Sequence, residues 1–315
     1  MRLGRPPKIT WPDGARFAFT IVDDTDQGKL DRIRPIYDFL AAQGFRTTKT
    51  VWPLSTLSSP ITGGDSLEND AYKRWVLSLR DEGFEIALHG VADGPSERNR
   101  ILLGLERFNA VFGQDPEMHI NHVGQAESLY WGGDRFDPPL KWAYRAYRGR
   151  QPRAALSLGH IPTSEYFWGD LCQQRIRFVR NLVWPDINTL KADPLMPYHD
   201  PNRPFVRAWF SSSYGSGIGA FLRLLSPANQ DRLMEEGGAC IVYTHLGSSF
   251  HPMSVEFKST MQRLASMPGW FVPASKLLRY IGEQRGWPRT SDYRWTYQKM
   301  QMNWLFNQFS RRIHR

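Results

Sequence analysis

Residues 17–30 read FAFTIVDDTDQGKL, and this stretch decides how the rest of the chain is interpreted. An apolar run typical of a buried strand ends in two adjacent carboxylates, Asp23 and Asp24, and Asp26 follows. Like charges this close repel, so one pKa must rise unless a cation lies between them. The stretch therefore predicts a metal site, a proton-transfer site or an exposed loop. For Asp26 we expect a capping role, because Asp is common at helix N-termini and a helical pattern begins just after it.

Strand-like and helix-like segments alternate from Arg16 onward. The strand-like segments of the first half are 16–22, 45–52, 84–90 and 116–124, and the helix-like segments between them are 29–44, 67–83 and 96–113. Each of these helices ends at a glycine, as helices commonly do. The less regular second half adds strand-like segments at 175–183, 204–212 and 238–246 and a closing helix within 271–286. The alternation predicts parallel strands joined by right-handed crossovers, in an open sheet or a barrel, without a linker that divides the chain.

Composition narrows the classes of function. The net charge is +9, but seven Lys/Arg and only two acids lie between Glu283 and Arg315, so the tail carries much of the excess. A mildly basic body without a recognised motif argues against nucleic acid as a partner. The two cysteines, Cys172 and Cys240, form neither a disulfide framework nor a zinc pattern. Because no signal-peptide-like or membrane-spanning apolar run is present, we expect a cytoplasmic protein, with peripheral contact to the inner face of the membrane as an alternative.

Polar side chains follow several of the predicted strands at the point where each strand ends. Asp23 and Asp24 end the first strand, His89 the third, and His245 a late one, while Asn121 and His122 follow the fourth. In a parallel barrel the carboxyl ends of all strands open on one face, where active sites form. We therefore expect these side chains to converge. His245 would then serve as a proton donor, although a single histidine is also commonly structural.

The stretch FEIALHGVADG, residues 84–94, has a spacing that suits a metal ion. If the chain turns helically after the strand, His89 and Asp93 lie on one side about one turn apart, and both can hold one ion. The alternative is that His89 forms a hydrogen bond to a neighbouring loop and that Asp93 and Gly94 make an ordinary turn.

Four segments of the chain resemble the polysaccharide deacetylases, carbohydrate esterase family four. They are FTIVDDT (19–25), FEIALHGVAD (84–93), CIVYTHLG (240–247) and the closing GWFVPASKLLRYIG (269–282). The resemblance implies a single-domain α/β fold, a distorted (β/α) barrel of about seven strands. It also implies removal of N- or O-linked acetyl groups from glycans with the help of a divalent metal. We assign residues 1–282 to the barrel and 283–315 to a basic, aromatic C-terminal extension that we predict to be helical.

Carried over by position, the resemblance implies a role for each polar residue. Asp23 would be the catalytic base, Asp24 and His89 metal ligands, and His245 the general acid. The family normally places a second histidine where this chain has Asp93. Two carboxylates and one imidazole still make a plausible three-ligand site for zinc, with manganese or magnesium as alternatives because carboxylates are harder ligands.

A second departure concerns the motif that normally contains an Arg-Pro signature and orients the base. The stretch INHVGQAESLYWGG, residues 120–133, stands in its place and offers Asn121 or His122. We predict that these two residues, with Trp131 and Trp184, bind the substrate. Indole faces suit sugar rings, although each tryptophan could equally be a packing residue.

The predicted function is metal-dependent removal of an acetyl group from a saccharide or a sugar-containing precursor of a surface polysaccharide. The main alternative is a metal-free relative that binds a glycan or a protein partner. Another hydrolase, acting on a C–N or a glycosidic bond, is a further alternative. In the tail, apolar residues at 302, 305, 306, 309 and 313 repeat at helical spacing with arginines beyond. This pattern predicts a helix that lies on a membrane, docks on the barrel or contacts a second subunit.

Overall fold

The structure, a computed structural model, describes residues 6–57, 59–122, 124–149 and 157–313. Eight strands occur among them: β1 (Phe17–Asp23), β2 (Thr48–Val51), β3 (Glu85–Leu88), β4 (Met118–His119), β5 (Phe178–Trp184), β6 (Ala208–Tyr214), β7 (Ala239–Thr244) and β8 (Gly269–Phe271). The α-helices are α1 (Leu30–Ala42), α2 (Asp70–Asp81), α3 (Arg98–Phe112), α4 (Leu140–Arg148), α5 (Gly169–Arg175), α6 (Thr189–Ala192), α7 (Ile218–Leu224), α8 (Pro227–Glu236), α9 (Leu246–Ser249), α10 (Val255–Ala265), α11 (Ala274–Arg285) and α12 (Arg294–Ile313).

Strands β1 to β7 form a closed parallel barrel. Each strand pairs with its neighbour in chain order, and β1 closes the ring by pairing with both β7 and β2. The contact with β7 runs along most of β1, whereas β2 joins only through Val22↔Thr48 and Asp23↔Lys49. The predicted seven-stranded, single-domain (β/α) barrel is confirmed, and the open sheet is excluded.

Strand β8 explains why the barrel is distorted. It pairs with the amino-terminal part of β1, from Phe17↔Gly269 to Phe19↔Phe271, where β2 does not reach. Helix α11 follows, and the backbone N–H of Ala274 at its start donates to Thr48 Oγ1 of β2 at 2.9 Å. Strand β8 and helix α11 therefore fill the gap between β1 and β2 at the end of the barrel opposite the carboxyl ends of the strands.

The helices begin and end where local chemistry allows. The side chain of Asn69 accepts from the N–H groups of Ala71 and Tyr72 at the start of α2, and Ser254 accepts from Phe257 at the start of α10. Such caps satisfy backbone donors that the first turn leaves free. Helices α3, α8 and α11 stop at glycines with positive φ, a conformation that side chains disfavour.

Strand β1 is buried along its whole length, so both of its faces contact protein. One face meets the barrel interior and the other meets the surrounding helices. Because successive side chains point to opposite faces of a strand, Asp23 and Asp24 must face different environments. The two carboxylates therefore have different neighbours, and these neighbours determine the chemical role open to each.

The C-terminal segment packs along the barrel. Trp304 of α12 donates its indole N–H to the carbonyl of Val183 at 3.0 Å, and Tyr297 donates its hydroxyl to buried Asp200 at 3.0 Å. Helix α12 thus lies against the body of the protein, while a domain boundary at residue 282 stays a prediction. None of the helices in the described part of the chain is long and apolar enough to cross a membrane.

Candidate active site

Four of the side chains expected to converge lie at one mouth of the barrel. Asp24 follows β1, His89 follows β3, His122 lies in the loop after β4, and His245 follows β7. All four strands end at the same rim because they are parallel, as the alternating pattern predicted. At the centre of the group lies Asp26, which the sequence suggested only as a capping residue.

Three histidines surround the Asp26 carboxylate. Its Oδ1 lies 3.0 Å from His122 Nε2 and 3.3 Å from His89 Nε2, and its Oδ2 lies 3.0 Å from His245 Nε2. Burial alone would raise the pKa of Asp26, but the charge of His89 and the hydrogen bonds of His122 and His245 together bring it well below its usual range. Asp26 is therefore an anion, and it draws positive charge into the mouth.

Asp26, His89 and His122 form a group that could hold a metal ion. Each offers a ligand atom, these atoms lie within 4.8 Å of one another, and all three residues are buried. One carboxylate and two imidazoles are a common donor set of open, catalytic metal sites. The predicted ligand His89 belongs to this group, whereas His122 was predicted to bind substrate.

Unpartnered ring nitrogens fit the same interpretation. Nδ1 of His89 and Nδ1 of His122 make no hydrogen bond to any described residue, and Nε2 of His89 faces the carboxylates of Asp26 and Asp24 at 3.3 and 4.0 Å. Leaving a buried polar atom without a partner costs about 1–3 kcal/mol. Binding of a cation to the lone pair of His89 would remove part of this cost. Trp52 holds the segment in place, since its indole N–H donates to the His89 carbonyl at 2.8 Å.

Asp24 is paired with an arginine from across the barrel. Its Oδ1 and Oδ2 receive hydrogen bonds from Nη1 and Nη2 of Arg180 at 2.9 and 2.6 Å. Asp24 Oδ2 lies 4.0 Å from His89 Nε2, so the pair borders the candidate metal group. Arg180 also lies 4.4 Å from the ring centre of Tyr243. Each Asp24 oxygen thus accepts one hydrogen bond from Arg180 and keeps a second lone pair that a metal could use.

Asp93 holds the loop that covers one side of the mouth. Its carboxylate accepts from the backbone N–H of Gly63 at 2.6 Å and of Thr62 at 3.0 Å. Asp93 Oδ1 still lies 4.0 Å from His122 Nε2. The helical turn that would have aligned Asp93 with His89 does not form, because residues 89–97 run as a loop up to α3.

Asp23 faces the helical layer, away from Asp24. Its Oδ2 lies 3.1 Å from Lys49 Nζ of β2 and accepts from the hydroxyl of Tyr37 of α1 at 3.0 Å. Its Oδ1 accepts from the backbone N–H of Leu246 at 2.8 Å. Burial alone would lower the pKa of Lys49, but the charge of Asp23 raises it by more. The net shift of the Lys49 pKa is therefore upward, and the pair is ionic. Asp23 thus joins three parts of the chain beneath the mouth.

His245 has a defined tautomer. Its Nδ1 donates to the carbonyl of Ser216 at 3.0 Å, which directs Nε2 toward Asp26 and the Tyr243 hydroxyl, 3.2 Å away. Burial lowers the pKa of His245, but the hydrogen bond to Asp26 and the charges of Asp24 and Asp26 raise it above its ordinary value. His245 is therefore doubly protonated over a wider pH range than a free imidazole is.

The four predicted substrate-binding residues lie in different environments. Asn121 is buried, and its amide exchanges hydrogen bonds with the backbone of Leu129. Trp131 stacks against Arg135 at 3.6 Å, and Trp184 is buried at the end of β5. His122, as described above, lies in the candidate metal group. The substrate-binding role of these residues stays a prediction.

Three residues escaped the sequence interpretation: Asp26 and Arg180 at the mouth, and Lys49 beneath it. Lys49 lies in β2 and Arg180 in β5, and a charged side chain in a buried strand requires a buried partner. The sequence does not say which carboxylate that partner is. Asp26 was passed over because its position before a helix has a common structural explanation.

Solved structures with this fold include a protein from Mycobacterium smegmatis, provisionally described as a polysaccharide deacetylase. It is 15% identical, with a TM-score of 0.51 over 92% of this chain and 98% of its own. A probable polysaccharide deacetylase from Pseudomonas aeruginosa PAO1 is 12% identical, with a TM-score of 0.50 over 87% and 93% of the two chains. Puue allantoinase is 13% identical, with a TM-score of 0.49 over 87% and 92%. No protein-family model and no curated protein matches the chain.

At these identities the similarity shows the fold. The predicted resemblance to the polysaccharide deacetylases is confirmed at that level, for a chain whose sequence has diverged far from both solved structures.

Proposed function

We propose that this protein is a metal-dependent hydrolase that removes an acetyl group from a saccharide. The observation that carries the proposal is the buried group of Asp26, His89 and His122 beside His245 at the barrel mouth. The fold shared with polysaccharide deacetylases supports the choice of substrate class. A sugar-containing precursor of a surface polysaccharide remains our proposed substrate within that class.

Asp26, His89 and His122 would hold the metal through one carboxylate oxygen and two imidazole nitrogens. A divalent cation there would polarise the acyl oxygen and lower the pKa of a water molecule from about 15.7 toward ~7. Zinc suits the two imidazoles best, and manganese or magnesium would follow if Asp24 or Asp93 also contributed oxygen. The predicted ligand set of Asp24, His89 and Asp93 shares only His89 with this group. Substitutions of the other residues can therefore show which of the two sets binds the metal.

We assign the role of general base to Asp24. It faces the barrel interior and lies 4.0 Å from His89, whereas Asp23 is enclosed by Lys49, Tyr37 and the backbone of Leu246. Arg180 holds the Asp24 carboxylate in one orientation through two parallel hydrogen bonds. An oriented carboxylate is a sufficient proton acceptor where the attacking water is already acidic.

His245 would donate the proton to the departing amine or alkoxide. Its Nδ1–H is held by the Ser216 carbonyl, so the proton on Nε2 points toward the centre of the mouth. The upward shift of its pKa extends the pH range over which that proton is held. Tyr243, within hydrogen-bonding distance of Nε2, would help to keep the ring oriented if Asp26 held a cation.

Metal analysis combined with acetate release tests the proposal. The purified protein should contain about one divalent cation per chain and release acetate from at least one member of a panel of N- and O-acetylated saccharides. His89→Ala should lose both properties. A wild-type protein that binds no cation after exposure to zinc, manganese and magnesium would contradict the proposal.

A second candidate function is glycan or partner binding without a metal. The observation that favours it is that Asp26 already has three imidazole partners and Asp24 a bidentate arginine, so both carboxylates have partners without a cation. In that case the protein should bind saccharides in the presence of a chelator, and His89→Ala should leave that binding intact.

A further inference from the structure

Helix α12 has two distinct faces. The inward face is buried against the barrel and carries Tyr297, Met300, Gln301, Trp304 and Leu305. These residues repeat at the spacing of three and four that defines one side of a helix. The packing therefore uses only part of the helix surface, and the opposite face remains to be explained.

The outward face carries a narrow ribbon of large side chains. Trp295, Met302 and Phe306 are exposed by 65%, 36% and 67%, and Lys299 is exposed between them. At 100° per residue these four positions fall within an arc of about 60°, and they extend over about 16 Å of the helix. A row of exposed apolar side chains on one helix face marks an interaction surface more often than a single exposed residue does.

A basic cleft of about 570 Å³ adjoins the ribbon. Trp295 and Lys299 line it together with Lys8, Lys191 and Arg285. Glu236 is the acidic residue in its lining, and it pairs with Lys191. Within the described ranges of the chain, no ion pair joins Lys8 or Lys299 to a carboxylate, whereas Arg285 donates to the backbone carbonyls of Pro194 and Met196 near the Asp193 charge. The cleft therefore carries positive charge that protein groups do not neutralise.

We propose that this face of the protein, the α12 ribbon with the basic cleft, rests on an anionic lipid bilayer. Trp295, Met302 and Phe306 would enter the interfacial layer, where aromatic side chains are favoured, and the cleft would receive lipid phosphates. Each Lys or Arg near an anionic membrane surface adds to the attraction. The sequence places further arginines at 311, 312 and 315, so the charge of the tail has the same sign as the cleft.

Charge decides between a membrane and a second copy of the chain. Two copies would bring two basic clefts and two tails together, in molecules that each carry a net charge of +9. Such like charges repel, and the apolar ribbon is too narrow to offset the repulsion by burial. An anionic surface neutralises the cleft and covers the ribbon at the same time.

The docking surface is separate from the barrel mouth. None of the mouth residues lines the cleft, and α12 lies along the outer side of β5, where Trp304 contacts Val183. Loss of membrane binding and loss of hydrolysis can therefore be distinguished, since substitutions on α12 leave Asp26, His89 and His122 unchanged.

Vesicle co-sedimentation of the full chain tests the proposal. We expect binding to phosphatidylcholine vesicles that contain phosphatidylglycerol, weaker binding as salt rises, and no binding to phosphatidylcholine alone. The variant Trp295→Ser/Phe306→Ser should lower the affinity at least about tenfold, and Lys299→Glu should lower it at low salt. Leu103→Ser, which removes an exposed apolar side chain of α3, is the matched control and should bind as the wild type does.

Two results would overturn the proposal. One is equal binding of the wild type and the ribbon variant to anionic vesicles, with circular dichroism showing that both are folded. The other is a dimer in light scattering that Trp295→Ser/Phe306→Ser converts to a monomer, because a second copy would then occupy the ribbon.

Discussion

Replacing Lys49 by Met tests whether the role of Asp23 is structural or catalytic. Lys49 and Asp23 are both buried, and Nζ lies 3.1 Å from Oδ2. Removing one partner of a buried ion pair typically costs about 3–5 kcal/mol, because the other charge is left unpaired in a medium of low polarity. The hydroxyl of Tyr37 and the N–H of Leu246 still contact Asp23 in the variant. We therefore expect a loss near the lower limit, about 3 kcal/mol.

Urea unfolding followed by tryptophan fluorescence measures this loss as a lower midpoint with an unchanged slope. Lys73→Met is the matched control, since Lys73 forms an exposed pair with Asp70 at 2.6 Å, and such pairs contribute about 0–1 kcal/mol. The double variant Asp23→Asn/Lys49→Met removes both buried charges while keeping an acceptor for Tyr37. It should recover most of the stability and, if Asp23 is structural, most of the acetate release.

Two outcomes would refute this reasoning. If Lys49→Met unfolds at the same urea concentration as Lys73→Met, the pair does not support the fold. If the double variant is as stable as the wild type but inactive, Asp23 takes part in catalysis, as the family resemblance implies, and the base role does not belong to Asp24.

Three further predictions concern buried charges near the mouth. Burial raises the pKa of Glu127 to about 7, so its stability contribution is complete below the unfolded value of about 4.3 and is lost as pH rises toward 7. Glu127→Gln should therefore raise the free energy of unfolding by roughly 3 kcal/mol at pH 8 and hardly at pH 4, and a pH-independent effect would contradict this. His245 has a raised pKa, so its contribution in metal-free protein is complete below about pH 6.5 and is lost as pH rises through the folded value. His245→Gln should flatten that part of the stability curve, and an unchanged curve would show that another group titrates. Arg180→Met should cost about 3–5 kcal/mol by leaving Asp24 unpaired, and Arg180→Met/Asp24→Asn should recover stability without activity. Full activity of the double variant would remove Asp24 from the mechanism.

The barrel was predictable from the sequence because each βα unit carries local signals. Helical periodicity and terminal glycines marked α1, α2 and α3, and apolar runs marked the strands between them. Helices α4 and α5 were missed; they lie in the long connection between β4 and β5 and are only nine and seven residues long.

The environments of Asp23 and Asp24 were not predictable, for a physical reason. A strand that is buried on both faces shows no alternation of apolar and polar residues, so its sequence does not reveal which side faces the barrel interior. The pairing of Asp23 with Lys49 and of Asp24 with Arg180 determines which carboxylate faces the barrel interior. Both partners are distant in sequence.

The contacts of Asp93 were hidden for a similar reason. A spacing of four residues from His89 predicts shared ligation only if the chain turns helically, and it does not. Instead Asp93 holds Thr62 and Gly63, which lie about thirty residues earlier. His122 approaches His89 from the loop after β4, with ring centres 4.9 Å apart, through a contact that depends on barrel closure.

Zinc affinity of the metal-free protein, compared between Asp26→Asn and Asp24→Asn, tests the central claim most directly. Titration calorimetry should show one site in the wild type, a loss of at least about tenfold in affinity for Asp26→Asn, and a smaller change for Asp24→Asn, with circular dichroism confirming that all three are folded. Asp26→Asn binding zinc like the wild type, while Asp24→Asn loses it, would contradict the account and restore the ligand set that the family resemblance implies.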